Sequence, residues 1–227
     1  SLDVLVSTNH LDFYNDYPQG DIQIYFEAAM PAITDESLEK YFSKQLKGLT
    51  EKEKVASILS FVQNAFPYQT DGQQFGREKF FFPDENFAYP YADCEDRSVL
   101  FAYLVRKYAG LETIGLNYDK HIATAVRFNT KVAGDYVTYK NNEFIVCDPT
   151  FINAPIGACM PEYKNEKPEV VQLVKPVSQK PATAIWQDIE DKGLYPMNLQ
   201  SSAKRGNAKT CFFTGRYDDI IATTPIP

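Results

Sequence analysis

The sequence predicts an α+β fold in which helices come first and antiparallel strands follow, and three observations carry this prediction. Apolar residues recur at helical spacing in two segments between residues 34 and 66. Seven consecutive apolar or aromatic residues, 99–105, predict a helix that is buried on nearly every side. After residue 110 the apolar spacing changes to every second residue, which indicates strands.

The N-terminal part of the chain predicts one strand and two helices. Apolar residues alternate with polar or mixed ones over residues 21–27, so we expect a half-buried strand there. A first helix is expected over 34–48 and a second over 50–66, which begins with the capping box Thr50-x-x-Glu53. The second helix should end before the proline that follows it, because a residue before proline disfavours helical geometry.

A long aromatic segment and a buried helix occupy the middle of the chain. Residues 67–92 have no clear period and many aromatic side chains, so we expect a packed loop that covers the core or lines a substrate cleft. Asp93 can cap the helix that follows, and Gly110 can end it. Cys94 therefore lies in the first turn of a helix that is otherwise apolar.

Strand-like segments follow this helix, and two of them, 136–139 and 144–147, flank a Lys-Asn-Asn-Glu sequence typical of a hairpin turn. The pattern then weakens. We expect a catalytic domain over residues 1–175 and a C-terminal extension, or the start of a further domain, over 176–227. The other expected strands are 113–118, 121–128, 170–174, 211–213 and 217–222.

Composition and charge exclude several classes of protein. The chain has 227 residues and a formal net charge of −7, whereas a nucleic-acid surface needs clustered Lys and Arg. No apolar run approaches the roughly 18–20 residues of a membrane span. The four cysteines form no Cys-x-x-Cys pair, which argues against a structural zinc site, and we expect neither a metal nor a cofactor.

The N-terminus gives a weaker indication of origin. The chain begins with Ser1 and has no signal-peptide pattern, so we expect a processed chain or a piece of a longer protein. The sequence identifies neither its compartment nor its oligomeric state, and we favour a periplasmic or secreted origin.

One cysteine is suited to nucleophilic catalysis. The unpaired N–H groups of a helix N-terminus favour the thiolate of Cys94, which is the reactive form of a thiol. His121, at the start of a predicted strand, can act as general base and acid. Asp148, at the end of another strand, can orient the imidazole. If these strands are antiparallel neighbours, both side chains can face the start of the Cys94 helix.

Three segments resemble the transglutaminase-like superfamily: Tyr-Ala-Asp-Cys94-Glu-Asp-Arg-Ser, His121-Ile-Ala-Thr-Ala-Val and Phe-Ile-Val-Cys-Asp148-Pro-Thr. A fourth, Phe61-Val-Gln-Asn-Ala-Phe-Pro-Tyr68, resembles the helix that precedes the catalytic cysteine in bacterial members. The resemblance covers roughly residues 50–152. It implies a papain-like core in which a buried helix carrying Cys94 packs on an antiparallel sheet carrying His121 and Asp148, the catalytic triad. Family members often have His-Ala-Trp where this chain has His-Ile-Ala-Thr, so the resemblance implies no particular substrate.

The groups that would stabilise an oxyanion are less well defined. The backbone N–H of Cys94 is one candidate donor. Gln63 and Tyr91 are the side-chain candidates for oxyanion or substrate binding, and Gln69 and Trp186 are weaker ones.

These features predict a cysteine-dependent acyl-transfer enzyme, that is, a thiol protease, amidase or transglutaminase-like hydrolase. Its partner would be a peptide, protein or cell-wall-type amide substrate. Hydrolysis is favoured over transamidation, because no feature shows a site that admits an amine and disfavours water. The alternative is a catalytically degenerate transglutaminase-like module that binds protein or glycan within a larger extracytoplasmic protein. A glycosidase pair of Glu95 and Asp96 and a zinc site of His121, Cys147 and Cys159 are two less favoured hypotheses.

Overall fold

The computed structural model describes residues 2–173 and 220–222, which form an α+β fold with a curled antiparallel sheet, as the sequence predicts. Short 3-10 segments cover Pro83–Phe87 and Pro161–Tyr163. The α-helices are α1 (Thr8–Asp16), α2 (Ile22–Glu27), α3 (Ala32–Gln45), α4 (Glu51–Ala65), α5 (Asp71–Gln74) and α6 (Cys94–Leu104). The strands are β1 (Leu5–Ser7), β2 (Glu112–Tyr118), β3 (His121–Arg127), β4 (Tyr136–Tyr139), β5 (Asn142–Cys147), β6 (Glu169–Gln172) and β7 (Ile220–Ala222).

Helix α4 begins with the predicted capping box. The Glu53 carboxylate accepts a hydrogen bond from the Thr50 N–H (2.9 Å), and the Thr50 hydroxyl accepts one from the Glu53 N–H (3.4 Å). These bonds satisfy two backbone donors that the helix itself leaves unpaired. Four apolar residues of the helix, spaced by three or four positions with one adjacent pair, are buried against the core: Val55, Ile58, Leu59 and Val62.

The strand expected over residues 21–27 is wrong, because this segment forms helix α2. The Asp21 side chain accepts a hydrogen bond from the Gln23 N–H (2.9 Å) and so caps the helix. The neighbours Tyr25 and Phe26 are both buried, whereas Ile24 is 40% exposed, which a two-residue period does not produce. Seven residues are too few for periodicity to outweigh a local cap and tertiary packing.

Helix α6 is the central buried element, and it continues into a π-helical turn, Val105–Ala109. It ends at Gly110, whose φ of +71° is strained for residues with a Cβ atom. Close to its N-terminus, the Ser98 hydroxyl donates a 2.9 Å hydrogen bond to the Ile122 carbonyl of β3. This bond ties the cysteine-bearing end of α6 to the start of β3.

The sheet has the strand order β4-β5-β3-β2-β6, and every neighbouring pair is antiparallel. The predicted hairpin between β4 and β5 turns at Lys140 and Asn141, both with positive φ. Thr124 of β3 is paired with Cys147 of β5. Because the two strands run in opposite directions, the start of β3 lies beside the end of β5.

The C-terminal part of the chain contributes one described strand. Ile220–Ala222 pairs antiparallel with β1, and this strand lies within the predicted segment 217–222. Trp186 and the strand expected over 211–213 lie outside the described residues. The division at residue 175 remains a prediction. None of the helices within the described ranges has the length and apolarity that crossing a membrane requires.

Candidate active site

The pairing of β3 with β5 brings together two of the three proposed catalytic residues. His121 is the first residue of β3, and Asp148 directly follows β5. The His121 Nε2 atom and the Asp148 Oδ2 atom are 2.8 Å apart, and both side chains are buried. A carboxylate at this distance favours the tautomer that carries its proton on Nε2. Nδ1 is then free to accept a proton from a nucleophile.

Asp148 is itself held in place from two sides. Its Oδ1 atom accepts hydrogen bonds from the backbone N–H groups of Thr150 (2.9 Å) and Phe151 (3.2 Å). The buried Gln63 amide donates to the backbone carbonyls of Asp148 (3.1 Å), Phe151 (2.8 Å) and Ala154 (3.1 Å). These hydrogen bonds, which include those from Gln63 of helix α4, hold the Asp148 carboxylate in the orientation that faces His121.

Cys94 is the first residue of α6 and is half-buried. Its Sγ atom donates a hydrogen bond to the Glu95 Oε2 atom at 3.0 Å. Burial and the neighbouring Glu95 carboxylate raise the pKa of the Cys94 thiol, and a hydrogen bond from the Ile122 N–H acts in the opposite direction. In this conformation the thiol is therefore held in its protonated form.

Cys94 and His121 line one open cavity with a volume of about 640 Å³. Across the part of the chain that the structure describes, no hydrogen bond joins the two residues, since the thiol bonds to Glu95 and the imidazole to Asp148. The structure therefore brings His121 and Asp148 into contact and places Cys94 in the same cavity with a different hydrogen-bond partner.

Two tyrosines that the sequence did not indicate pack against the imidazole. The Tyr163 ring is nearly parallel to that of His121, with centroids 5.0 Å apart, and the Tyr118 ring lies 6.4 Å away. Tyr163 belongs to the segment after β5, and Tyr118 ends β2. These rings limit rotation of the imidazole and shield it from water. Tyr118 has a recognisable signal, a position next to the β2–β3 turn, whereas no sequence signal places Tyr163.

A third tyrosine lines the cavity beside the cysteine. Tyr68 is 51% exposed, and the Arg97 guanidinium lies over its ring, 5.5 Å from the centroid. Burial and the nearby thiol raise the pKa of Tyr68 to about 12, so its hydroxyl stays protonated and can donate a hydrogen bond. No sequence pattern assigns a role to Tyr68 itself.

The two side chains proposed for oxyanion or substrate binding lie elsewhere. The Gln63 amide N–H groups are used by the three carbonyls around Asp148, so Gln63 is a positioning residue and not an oxyanion donor in this structure. Tyr91 is 39% exposed and does not line the cavity. Of the weaker candidates, Gln69 is half-buried and does not line the cavity, and Trp186 lies outside the described residues. The backbone candidate is the Cys94 N–H in the first turn of α6, where helical N–H groups lack intrahelical partners.

An acidic cluster adjoins Cys94. Single carboxylate oxygens of Asp71, Glu78 and Glu95 lie within 4.8 Å of one another, and so do those of Asp71, Asp93 and Asp96. Burial, the largest cause, and neighbouring carboxylates raise the pKa of Asp71 to about 7 and that of Glu95 to about 9. Both groups of three have the oxygen ligands that hard cations prefer.

The other described cysteines lack such surroundings. Cys147 is completely buried in β5, and burial raises the pKa of its thiol. Cys159 is half-buried, and its backbone N–H donates to Asp135. The described part of the chain forms no group of three metal ligands from His121, Cys147 and Cys159.

Comparisons with known proteins give a similarity among the solved structures. No family model matches the chain, and no curated protein matches it. The chain is similar to a solved structure from Cytophaga hutchinsonii named "putative cysteine protease", with a TM-score of 0.38 and 14% sequence identity. The similarity covers 74% of this chain and 57% of that protein, so the chain spans little more than half of its length.

Proposed function

We propose that this protein is a cysteine-dependent acyl-transfer enzyme that hydrolyses a peptide or carboxamide bond. The observation that carries this proposal is the buried His121–Asp148 pair, whose imidazole lines the same cavity as a cysteine in the first turn of a buried helix. A paired imidazole and a thiol at a helix N-terminus are the groups that thioester chemistry requires. The proposed arrangement is papain- and transglutaminase-like.

In the proposed first step, the Cys94 thiol gives its proton to His121 Nδ1, and the thiolate sulfur attacks the substrate carbonyl carbon. The carbonyl oxygen becomes an oxyanion, which the Cys94 N–H stabilises at the positive end of α6. His121 then protonates the leaving amine as the carbon–nitrogen bond breaks, and a thioester remains on Cys94. Asp148 stabilises the imidazolium throughout.

Water completes the proposed cycle. His121 removes a proton from the water molecule, the hydroxide attacks the thioester carbon, and the thiol leaves with a proton from His121. An amine in place of water would give transamidation. We propose hydrolysis because the cavity is open, so water can enter it.

Before attack, the Cys94 thiol must exchange its hydrogen-bond acceptor. Its S–H group donates to Glu95 in this structure, and rotation of the thiol has to direct it to His121. Catalytic hydrogen bonds are often made only when substrate binds. A substrate that engages Glu95 would release the thiol for this rotation.

The test is steady-state cleavage of peptides, isopeptides and cell-wall fragments by three variants, Cys94→Ala, His121→Ala and Asp148→Asn. We expect each of them to lose about 10³-fold or more in kcat, and their combination to lose little more than one of them alone. The matched controls are Cys159→Ala and His10→Ala, which change a second half-buried thiol and an exposed imidazole. Cleavage that survives Cys94→Ala would rule out the proposed mechanism.

One observation favours a second candidate, a degenerate module that binds protein or glycan without turnover. The Cys94 thiol is bonded to a carboxylate and its pKa is raised, which opposes nucleophilic attack. This candidate predicts saturable binding of a peptide or glycan that is equal in the wild type and in Cys94→Ala, together with the absence of cleavage products.

A further inference from the structure

The cavity at Cys94 has a strong excess of acidic residues. Among the described residues that line it, Lys120 is the one lysine or arginine, and His121 is paired with Asp148. Lys79, which directly follows Glu78, bonds instead to Glu85 and lies over the rings of three aromatic residues. The acidic lining residues are Asp21, Asp71, Glu78, Asp93, Glu95 and Glu169.

Four of these acidic residues adjoin Cys94 and have no basic partner. Over the described ranges, Asp71, Glu78, Asp93 and Glu95 form no ion pair. Glu78 is exposed at the rim, whereas the other three are buried. Burial raises the pKa values of the three buried carboxyls, and a bound cation would favour their ionised forms again. Carboxylates that ionise in this way attract cations, because the low-dielectric walls of a cavity focus their field.

A buried oxygen without a donor independently indicates a ligand. Asp93 is only 5% exposed, and its Oδ1 atom receives no hydrogen bond from a described donor. The Asp93 carboxyl as a whole accepts a hydrogen bond from the Asp71 N–H, and the carboxyls of Glu95 and Asp96 can pair with it only through a shared proton. A buried acceptor that lacks a partner is costly, so a group that brings N–H donors and a positive charge would be bound favourably here.

The nearby Arg97 does not meet this need. Its guanidinium is 99% buried, donates a 2.6 Å hydrogen bond to the Phe66 carbonyl and lies over the Tyr68 ring. Burial lowers the pKa of Arg97, and Asp93 and Asp96 partly offset this effect. Over the described ranges, however, Arg97 forms no ion pair with a carboxylate, and its Nε and Nη1 atoms have no hydrogen-bond acceptor. One guanidinium offsets one charge, and the carboxyls in question number four.

We propose that the cavity selects a substrate with a cationic group, an ammonium or a guanidinium, beside the bond to be cleaved. Glu78 attracts this group at the rim, and Asp71, Asp93 and Glu95 accept its N–H donors in the interior. As Glu95 turns to the cation, it releases the Cys94 thiol towards His121. The nature of the cleaved bond rests on the proposed function, whereas the charge selection does not.

The first test measures charge selection without any turnover. Two methanethiosulfonates that differ in charge, the trimethylammonium-ethyl and the sulfonato-ethyl reagents, each convert a thiol to a mixed disulfide and release methanesulfinate. Rates at Cys94 are followed by peptide mapping and divided by the rates with 2-mercaptoethanol, which removes intrinsic differences. We expect the cationic reagent to be favoured at least about tenfold, as a potential of several kT predicts.

Matched variants assign the selection to the acidic cluster. Glu78→Gln should lower the charge preference about two- to fivefold, because an exposed charge contributes modestly. Glu143→Gln, an equally exposed position on β5 outside the cavity, should leave it unchanged. Equal normalised rates for the two reagents, or equal effects of both variants, would overturn the proposal. A different result would also overturn it: calcium raises the Tm, Glu78→Gln abolishes this rise, and the two reagents show no charge preference. The cluster would then hold a metal ion.

The second test compares peptides that contain lysine, norleucine or glutamate next to the scissile bond. We expect kcat/KM to be at least about tenfold higher with lysine than with norleucine. If Cys94-dependent cleavage occurs at equal rates for all three, the charge selection is wrong and the proposed function stands. If no peptide is cleaved, calorimetric binding to Cys94→Ala decides. Tighter binding of the lysine peptide than of the other two would support charge selection by a protein that does not hydrolyse these peptides. Equal binding of all three would reject charge selection.

Discussion

The contact between Cys94 and Glu95 makes a specific prediction about thiol reactivity. The perturbation is Glu95→Gln, which keeps the shape of the side chain and removes its negative charge. The Sγ and Oε2 atoms are 3.0 Å apart, and two unit charges at that distance interact by about 5 kcal/mol at an effective dielectric of about 20. Cys94 is half-buried, so solvent screening reduces this to about 1.4–2.8 kcal/mol, or about one to two pKa units.

The assay is the pH dependence of alkylation by iodoacetamide, with the label located by peptide mapping. We expect Glu95→Gln to shift the Cys94 profile to lower pH by about one to two units. The difference should be largest above about pH 9, the pKa to which burial raises Glu95, because only the ionised carboxylate repels a thiolate. Iodoacetamide is neutral, so charge steering of the reagent does not contribute.

The control is Glu143→Gln, which removes an exposed carboxylate far from the thiol and should leave the profile of the wild type. A profile that Glu95→Gln leaves in place, or moves to higher pH, would refute the argument that this carboxylate holds the thiol protonated. The alkylation of Cys147, which is completely buried, reports whether either variant has opened the fold.

Three further predictions concern stability. Burial raises the pKa of Asp71 to about 7, so the stability that its protonated form contributes is complete below about pH 4 and is lost as the pH rises through 7. Between pH 4 and pH 7 the Tm of Asp71→Asn should therefore fall less than the Tm of the wild type, and equal slopes of Tm against pH would contradict this. Gln63→Ala leaves three carbonyls without their donor and should cost about 2–3 kcal/mol in urea unfolding, against about 0.5 kcal/mol or less for the exposed neighbour in Asn64→Ala. Gly115→Ala would place a Cβ atom 3.0 Å from both the Phe26 ring and the Val171 Cβ atom and should lower the free energy of unfolding by about 1–3 kcal/mol. Gly72→Ala meets open space and should be neutral or stabilising, and equal effects of the two variants would show that the contact at Gly115 of β2 is not tight.

The elements that could be predicted from the sequence are those whose signals are local. The Thr50–Glu53 capping box, the apolar run of α6 and the alternation in β2 and β3 each specify one element without reference to the rest of the chain. Helix α2 could not be predicted in this way, because the alternation over residues 21–27 also fits a strand. The packing of Phe26 against β2 decides between a helix and a strand here.

The site shows the same division. The chain order of a cysteine at a helix start and a histidine and an aspartate at strand ends was sufficient to propose Cys94, His121 and Asp148. The role of Gln63 depends on carbonyls more than 80 residues away, and no sequence period records such a contact. The Cys94–Glu95 hydrogen bond depends on a rotamer, which the sequence does not specify.

The central claim is that Cys94 is the nucleophile of an acyl transfer, and intact-protein mass spectrometry tests it most directly. The protein is mixed with a cleavable peptide, quenched in acid to preserve thioesters, and digested to locate added mass. We expect an increment equal to the acyl part of the peptide on Cys94, which accumulates and decays in the wild type and is absent from Cys94→Ala. Cleavage of the peptide by Cys94→Ala, which forms no such adduct, would contradict the role of Cys94 as nucleophile. So would an acyl adduct on a different residue.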